Sequence, residues 1–194
     1  MNEKTKYQLM KNRELLKGYQ RSDAGEEKTD QEQKLPGPAP LKEKTGKGGI
    51  SLPKDFENLS IEGNFLDLIK GRKSRRQYGD EPLTLLELSY LLWATQGVRH
   101  MAGYKNPVTF RNVPSAGSRH PFETYLFIGR VTGLKKGIYH YLPEHHQLEL
   151  WEDKTDYETE LTQALCGQYF AASAPAVFIW SAIPYRTEWR YGQK

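Results

Sequence analysis

The fold class follows from residues 123–151, which read Glu-Thr-Tyr-Leu-Phe-Ile-Gly-Arg-Val-Thr-Gly-Leu-Lys-Lys-Gly-Ile-Tyr-His-Tyr-Leu-Pro-Glu-His-His-Gln-Leu-Glu-Leu-Trp. Within this stretch, Thr124–Ile128 is a nearly continuous β-branched and aromatic run, which predicts a buried strand. Ile138–Tyr141 and Leu148–Trp151 flank Pro143-Glu144-His145-His146, a pattern typical of two strands joined in a hairpin. We therefore predict a mostly antiparallel sheet in this part of the chain.

Helical patterns precede these strands. Thr84 and Glu87 have the spacing of a capping box, which predicts that a helix begins after Thr84. Its apolar face comprises Leu85, Leu88, Leu91 and Leu92, and Gly97 is a natural end. A weaker apolar stripe at residues 65–69, with Ser60 as its predicted cap, indicates a shorter helix upstream.

The later elements rest on shorter signals. Thr155 and Glu158 predict a second capping box and a helix, and Ala174–Trp180 predicts another buried strand. Residues 98–113 are interpreted as a loop. Residues 185–194 are expected to form no helix and to leave one face of the sheet poorly covered. Helices combined with mostly antiparallel strands give the α+β fold class.

Residues 1–50 differ in composition from residues 51–194. Their apolar positions are scattered among Lys, Glu, Gln, Asp and Gly, and prolines stand at positions 36, 38 and 40. Such a segment buries too little apolar surface to offset the entropy lost when it becomes ordered. We predict a flexible, charged, Gly/Pro-rich arm at 1–50, with a short helix within 3–19, and a folded part at 51–194.

Composition restricts the function classes. The 194 residues carry 28 basic and 24 acidic side chains, and this net charge of +4 is weak for a dedicated nucleic-acid binder. No apolar run approaches the roughly 20 residues that span a bilayer, and the N-terminus lacks the apolar core of a secretory signal. The single cysteine, Cys166, fits a reducing compartment and is expected in the core beside Leu165. We expect a cytoplasmic protein that binds neither nucleic acid nor membrane.

The first candidate site is the basic segment, Arg72-Lys73-Ser74-Arg75-Arg76. In an extended backbone Arg72, Ser74 and Arg76 point to one side, and Lys73 and Arg75 point to the other. Two guanidinium groups with a hydroxyl between them suit bidentate contacts to a phosphate monoester. The alternative is a solvated basic run on the surface.

The second candidate is the serine-glycine loop, Pro114-Ser115-Ala116-Gly117-Ser118, which precedes Arg119-His120-Pro121. Small residues bounded by prolines let backbone amides approach a ligand closely, so a flat heterocycle would fit against them. The alternative is an ordinary polar loop. A serine hydrolase is not supported, because neither serine stands in a Gly-x-Ser-x-Gly elbow.

Three histidines, His140, His145 and His146, fall on or beside the predicted hairpin turn. No carboxylate or cysteine spacing around them matches a metal site, so we interpret them as solvent-exposed turn residues. The sequence also lacks a Walker A loop and a Gly-x-Gly-x-x-Gly turn after a strand. Neither a metal centre nor nucleotide binding of those types is predicted.

Taken together, these segments resemble the nitroreductase superfamily of flavoproteins, and within it the streptolysin-biosynthesis (SagB-type) dehydrogenases. The resemblance rests on the order and spacing of residues 72–78, 82–89 with 91–94, 113–121, 123–125 and 137–141. It implies a nitroreductase-like fold in which FMN is held between two subunits. The partner would be a second copy of the chain, giving a homodimer, or a complementary chain.

The resemblance also implies roles for particular residues. Arg72, Ser74 and Arg76 would hold the FMN phosphate, with Lys73 nearby. The isoalloxazine ring would be lined from the partner chain by Pro114, Ser115, Ala116, Gly117 and Ser118. An oxidoreductase of this type transfers hydride between the flavin and NAD(P)H, a small substrate or a peptide, and the flavin supplies that chemistry.

Azoline-oxidising SagB-type members are similar to one another in a Lys-Tyr pair proposed for proton removal, and the match here is Arg190-Tyr191. Arginine stays protonated and is a poor base, so we expect a general FMN-dependent oxidoreductase rather than an azoline oxidase. The family domain continues through a further helix and a glycine-containing segment. We therefore expect a C-terminally truncated domain at 51–194, or a second chain that supplies the rest.

Two other functions stay open. A non-catalytic or degenerate flavin-fold protein would bind a peptide or a second subunit, and purified protein without flavin absorbance would favour it. A basic adaptor for nucleic acid or acidic partners would show a steep salt dependence of binding.

Overall fold

The computed structural model describes residues 2–16, 28–45, 49–61 and 63–192. Its helices are α1 (Glu3–Leu16), α2 (Phe65–Gly71), α3 (Leu85–Gln96), α4 (Glu158–Ala164), α5 (Tyr169–Ala172) and α6 (Tyr185–Tyr191), with 3-10 turns at Phe56–Asn58 and Ala116–Ser118. Its strands are β1 (Ile50–Ser51), β2 (Val98–Ala102), β3 (Val108–Arg111), β4 (Phe122–Ile128), β5 (Gly137–Leu142), β6 (Gln147–Glu152) and β7 (Ala176–Ala182). Within the described ranges, no helix is long and apolar enough to cross a membrane.

Five strands form one antiparallel sheet in the order β1-β6-β5-β4-β7, and β2 and β3 form a separate hairpin. This confirms the predicted α+β class, the hairpin of β5 and β6, and the buried strand β4. The strand predicted at 174–180 is present as β7, but it is half-buried to exposed rather than buried, because it lies at the edge of the sheet. The short helix expected within 3–19 is present as α1, while residues 17–19 lie outside the described residues.

Helix α3 covers one face of the sheet. The main core packs side chains of α3, β4, β5 and β6 together: Leu88, Leu92, Leu126, Ile128, Tyr139, Tyr141 and Leu148. The predicted capping box starts this helix, since the Glu87 backbone N–H donates to Thr84 Oγ1 at 3.2 Å and the Thr84 N–H donates to Glu87 Oε2 at 2.7 Å. Such a cap contributes about 1 kcal/mol to helix stability.

Strand β4 gives the molecule two distinct ends. Its seven residues span about 20 Å. The serine-glycine loop comes just before the start of β4. Helix α6 lies beside it, because the Ile183 N–H, just before α6, donates to Pro121 O at 2.7 Å. We call this side of the molecule the loop end. At the other side of β4, Arg130 Nη2 donates to Gly79 O at 2.9 Å, just after the basic segment; we call this the basic end.

Part of the second face of the sheet is covered by residues 28–45, which we call the strap, and α4 and α5 pack against the rest at Phe127 and Val177. Lys42 Nζ lies 4.6 Å from the ring centre of Trp151 and donates to the Tyr125 hydroxyl at 2.6 Å. Thr45 N–H donates to Glu149 Oε2 at 3.0 Å. This part of the predicted arm therefore contacts the sheet, while the division of the chain at residue 50 stays a prediction.

The prediction of a loop at 98–113 is wrong, because β2 and β3 pair there as an antiparallel hairpin. The hairpin escapes a search for apolar alternation because its pattern is inverted. In β3 the polar Thr109 and Arg111 are buried while Phe110 is exposed.

Two helix caps and one cysteine also differ from expectation. Asn64, rather than Ser60, caps α2 by accepting from Leu66 N–H at 2.8 Å. Helix α4 begins after Tyr157 without a side-chain cap, so the second capping box does not form. Cys166 follows the end of α4 at a left-handed φ of 56° and is exposed rather than in the core.

Candidate functional site

The serine-glycine loop is held in a tight turn by its own hydrogen bonds. The Ser118 N–H donates to Ser115 O at 3.0 Å, and the Arg119 N–H donates to Ala116 O at 3.2 Å. The Ser115 hydroxyl accepts from the His120 N–H at 2.9 Å, which fixes the exit of the loop. This hydroxyl therefore shapes the backbone of the loop.

Three residues of this region have left-handed backbone conformations. Gly117, Ser118 and His120 have φ values of 56°, 54° and 41°. Such values are uncommon for residues with side chains, and strained backbone is concentrated at ligand and active sites. Isolated left-handed residues also occur at Lys34, His146 and Cys166, but three within four positions make this loop a candidate ligand-binding element.

Helix α6 brings the predicted pair Arg190-Tyr191 against this loop. A Cβ built on Gly117 would lie 2.6 Å from Arg190 Cδ and 2.8 Å from the Tyr191 hydroxyl oxygen. Position 117 therefore needs glycine both for its φ and for the close approach of the pair. Both side chains of the pair are exposed, so they remain accessible at the surface of the loop.

The expectation that residues 185–194 form no helix is wrong over 185–191, and residues 193–194 lie outside the described residues. Arg186 and Trp189, one turn apart, face inward and are each 2% exposed. Their partners lie about 150 residues earlier in the strap, at separations of 147 and 154 positions. A local sequence pattern does not reveal such partners.

Beneath the strap, a row of buried ionic side chains crosses the sheet from α6. Arg186 Nη2 lies 2.6 Å from Glu123 Oε1, and Glu123 Oε2 lies 3.1 Å from His140 Nε2. His140 Nδ1 is 2.9 Å from Glu149 Oε1. Both ring nitrogens of His140 therefore face a buried carboxylate, one on each neighbouring strand.

Charge and hydrogen bonding keep the Glu123 carboxylate ionised. Burial alone would raise the pKa of Glu123, but the hydrogen bond from His140 and the charge of Arg186 outweigh burial and lower it. The sequence reasoning missed this buried row. The available signal was a carboxylate at the start of an apolar strand, since buried charges in proteins are paired.

The interpretation of the three histidines as exposed turn residues holds for His145 alone, because His140 and His146 are buried. His146 lies between two hydroxyls, with Ser89 Oγ 2.7 Å from Nε2 and the Tyr141 oxygen 2.7 Å from Nδ1. Burial lowers the pKa of His146 to about 4. It is a neutral core residue that joins the hairpin to α3. In the described part of the chain, no three acidic, histidine or cysteine side chains form a group that could hold a metal.

The basic segment lies in extended or irregular backbone between α2 and α3, and all five of its residues are exposed. No described residue accepts a hydrogen bond from their side chains. The nearest ring contact places the Arg76 guanidinium carbon 5.8 Å from the centre of Phe170. These donors are free to meet an anionic ligand.

The structure thus brings some predicted site residues together and separates others. The serine-glycine loop and Arg190-Tyr191 meet at the loop end. The basic segment lies near the basic end, and the two ends are separated by the length of β4, about 20 Å.

A model of the nitroreductase family matches residues 69–194, which is most of the folded part. The chain belongs to the nitroreductase family. Members of this family are generally oxidoreductases that bind FMN or FAD. The matched range contains both the basic segment and the serine-glycine loop, and it begins after the strap.

Two proteins of similar sequence cover different shares of the chain. A provisionally named nitroreductase from Methanocaldococcus jannaschii is 39% identical over 145 residues, which are 75% of this chain and 67% of that protein. The trifolitoxin-processing protein TfxB from Rhizobium leguminosarum bv. trifolii is 46% identical over 41 residues, which are 21% of this chain and 11% of that protein.

Two solved structures of provisionally named nitroreductases share the fold. The protein from Anabaena variabilis aligns over 94% of this chain and 33% of its own, with a TM-score of 0.62 and 24% identity. The protein from Ralstonia eutropha aligns over 79% of this chain and 63% of its own, with a TM-score of 0.52 and 27% identity. The predicted nitroreductase-like fold is confirmed. The chain therefore spans about a third of the length of the first of these proteins and less than two thirds of the length of the second.

Proposed function

We propose that this nitroreductase-family chain is an FMN-dependent oxidoreductase whose flavin site is shared between two subunits. The observation that supports this proposal most strongly is that two groups of residues, each suited to one part of FMN, lie apart in the chain. The donors of the basic segment stand at one end of β4, and the strained serine-glycine loop with Arg190-Tyr191 stands at the other. In the proposed dimer, the basic end of one subunit faces the loop end of its partner.

The chemistry of the basic end suits the phosphate group of FMN. Arg72, Ser74 and Arg76 offer two guanidinium forks and a hydroxyl, and Lys73 adds a fourth donor group. A phosphate dianion accepts bidentate hydrogen bonds from arginine, and these are among the stronger bonds available to it. Binding an anion also relieves repulsion among neighbouring cations at this exposed segment.

The chemistry of the loop end suits a flat ring. Residues 114–118 present small side chains and backbone, so a heterocycle can lie close to them. Bound FMN would supply the hydride-transfer chemistry. Arg190 cannot act as a base, but its positive charge beside the loop would favour the electron-rich, reduced ring. The Tyr191 hydroxyl, next to Gly117, is placed to hold or donate a proton.

An exposed apolar helix supports a partner next to the basic segment. In α2, Phe65 is 77% exposed, and Leu68 and Ile69 are each more than half exposed. Apolar faces of this kind usually mark interfaces. A second copy of the chain would cover α2 and supply the loop end, and a complementary chain of the same fold would do the same.

The proposal extends to the subfamily and to the substrate: a SagB-type enzyme that acts on a peptide. The short match to TfxB, whose name states that it processes trifolitoxin, supports a SagB-type enzyme acting on a peptide. NAD(P)H is the expected second substrate, which would exchange hydride with the flavin. We expect this reaction in the cytoplasm, in line with the single cysteine.

Flavin titration tests the phosphate half of the site. Arg76→Met should weaken FMN binding by about ten- to hundredfold, because one charge-assisted contact is lost. Arg75→Met is the matched control, since it removes the same charge from the opposite side of the segment. Riboflavin, which lacks the phosphate, should bind more weakly than FMN and respond to neither change. Equal losses in the two variants would mean diffuse charge, and wild-type protein that binds no FMN would favour the non-catalytic alternative.

A further inference from the structure

We propose that the strap and Arg119 together position helix α6, so that Arg190 and Tyr191 stay against the serine-glycine loop. The strap precedes the residues 69–194 that match the family model. The catalytic consequence rests on the proposed function. The positioning itself concerns the chain alone and is measured without flavin.

The first turn of α6 is attached to both ends of the segment 30–39. The Tyr185 hydroxyl donates to Asp30 Oδ2 at 2.7 Å. The buried Arg186 donates through Nε to Ala39 O at 2.9 Å and through Nη1 to His120 O at 3.3 Å. Arg186 thereby links the strap to the backbone that follows the serine-glycine loop.

The last turn of α6 is attached near the start and at the middle of the same segment. Trp189 Nε1 donates to Leu35 O at 3.1 Å, and the Gln31 N–H donates to Trp189 O at 2.9 Å. A Cβ on Gly37 would lie 3.4 Å from the Trp189 ring, so the strap passes directly over the indole. A helix of seven residues is unstable alone, and these contacts supply what its own hydrogen bonds lack.

Arg119 connects the three segments. It directly follows the serine-glycine loop and is 2% exposed. Its Nε donates to Arg186 O at 3.1 Å, and its Nη2 lies 3.4 Å from Pro38 O. Its guanidinium carbon is 4.9 Å from the centre of the Trp189 ring. A planar guanidinium can make these contacts at once, whereas an ammonium group cannot.

The charges explain why the strap and α6 depend on each other. Arg119 and Arg186 are both buried, and backbone carbonyls of the strap are among their acceptors. If the strap leaves, these cations lose acceptors, and buried donors without partners are costly. At its other end the strap is held by Glu149 through Thr45. The strap, the loop and α6 should therefore order and disorder together.

Amide hydrogen exchange of the full chain tests this coupling. Arg119→Met should accelerate exchange in residues 29–39 and 185–192 by about tenfold or more, and leave β5 unchanged. The matched control is Arg130→Met, because Arg130 also donates to two backbone carbonyls, Gly79 O and Ser173 O, but at the basic end. The control should change neither segment.

Two further variants keep the test decisive. Trp189→Phe keeps an aromatic ring but removes the donor to Leu35 O and part of the packing of the indole. It leaves the donors of Arg119 and Arg186 in place, so it should accelerate the same two segments by a smaller factor. Arg119→Lys keeps the charge but not the fork, so it should behave like Arg119→Met. Rescue by lysine, exchange in α6 that does not follow the strap, or equal acceleration in β5 would each overturn the proposal.

A spectroscopic readout connects positioning to the flavin. In protein loaded with FMN, Arg119→Met should change the visible circular dichroism of the ring, whereas Arg130→Met should not. Unchanged dichroism in Arg119→Met would overturn the positioning of the pair at the ring. Failure of the wild-type chain to bind FMN would contradict the proposed function, and the exchange result would still decide whether the strap holds α6.

Discussion

The two ends of β4 are built in opposite ways. At the loop end, charged groups are buried and paired, and three segments distant in sequence hold one another in place. At the basic end, the cations of residues 72–76 are exposed and meet no acceptor among the described residues. A preformed surface suits a rigid ring, and free charged donors suit a phosphate that brings its own charge. The contrast indicates a site whose halves are ordered by different means.

The largest expected effect comes from breaking the ionic row at the loop end. Glu123→Gln should lower the free energy of unfolding by about 3–5 kcal/mol, because it leaves Arg186 buried without a charged partner. The control is Glu158→Gln, which removes the half-exposed pair with Lys136 and should cost less than about 1 kcal/mol. Chemical denaturation measures both. Similar losses in the two variants would mean that the loop end is not specially organised.

A second change separates the ends by function. Gly117→Ala introduces a Cβ at a left-handed φ and 2.6 Å from Arg190 Cδ, so the Arg190-Tyr191 pair must move. A displacement near 1 Å at a reacting centre costs about a hundredfold in rate, so bound FMN should be reduced by NADPH about a hundredfold more slowly. Gly79→Ala at the basic end is the control, since its Cβ would meet nothing within 4 Å. Stopped-flow absorbance follows both reactions, and equal rates in the two variants would contradict the assignment of the loop.

Acid should weaken the loop end in a defined interval. Burial first, and then the charge of Arg111, lower the pKa of His120 to about 4 from an ordinary value of 6.5. Between these values the unfolded chain binds more protons than the folded chain, so stability falls as the pH falls below 6.5. Between pH 7 and pH 5 this group alone should cost about 2 kcal/mol.

The variant that checks this is His120→Asn, because asparagine tolerates the left-handed φ of 41° and does not titrate. Its free energy of unfolding should change less between pH 7 and pH 5 than that of the wild type. An unchanged pH slope would mean that His120 is not buried in its neutral form.

The sequence predicts well the elements whose cause is local. Helix α3 has its capping box and apolar face within 14 residues, and β4 to β6 are short apolar runs beside clear turns. The same holds for the fold class, which follows from these elements. The signals for the two candidate segments are also local, because the basic segment and the serine-glycine loop are each predicted from residue types and spacing within five positions.

What the sequence did not predict depends on distant partners. Helix α6 forms because Arg186 and Trp189 find acceptors in the strap, and His140 is buried because Glu123 and Glu149 flank it on neighbouring strands. A composition of charged residues, glycine and proline indicated a flexible arm. Contacts to buried arginines give residues 28–45 a different environment from the one that composition suggests.

The sharing of each flavin between two chains is tested most directly with mixed dimers. One chain carries Arg72→Met with Arg76→Met and its partner carries Gly117→Ala, and differently tagged chains are co-purified. If each site takes its basic end from one chain and its loop end from the other, a mixed dimer binds one FMN, and NADPH reduces it at the wild-type rate. If each site lies within one chain, the single FMN occupies the Gly117→Ala chain and is reduced at the slow rate of that variant. The slow rate would contradict the shared site.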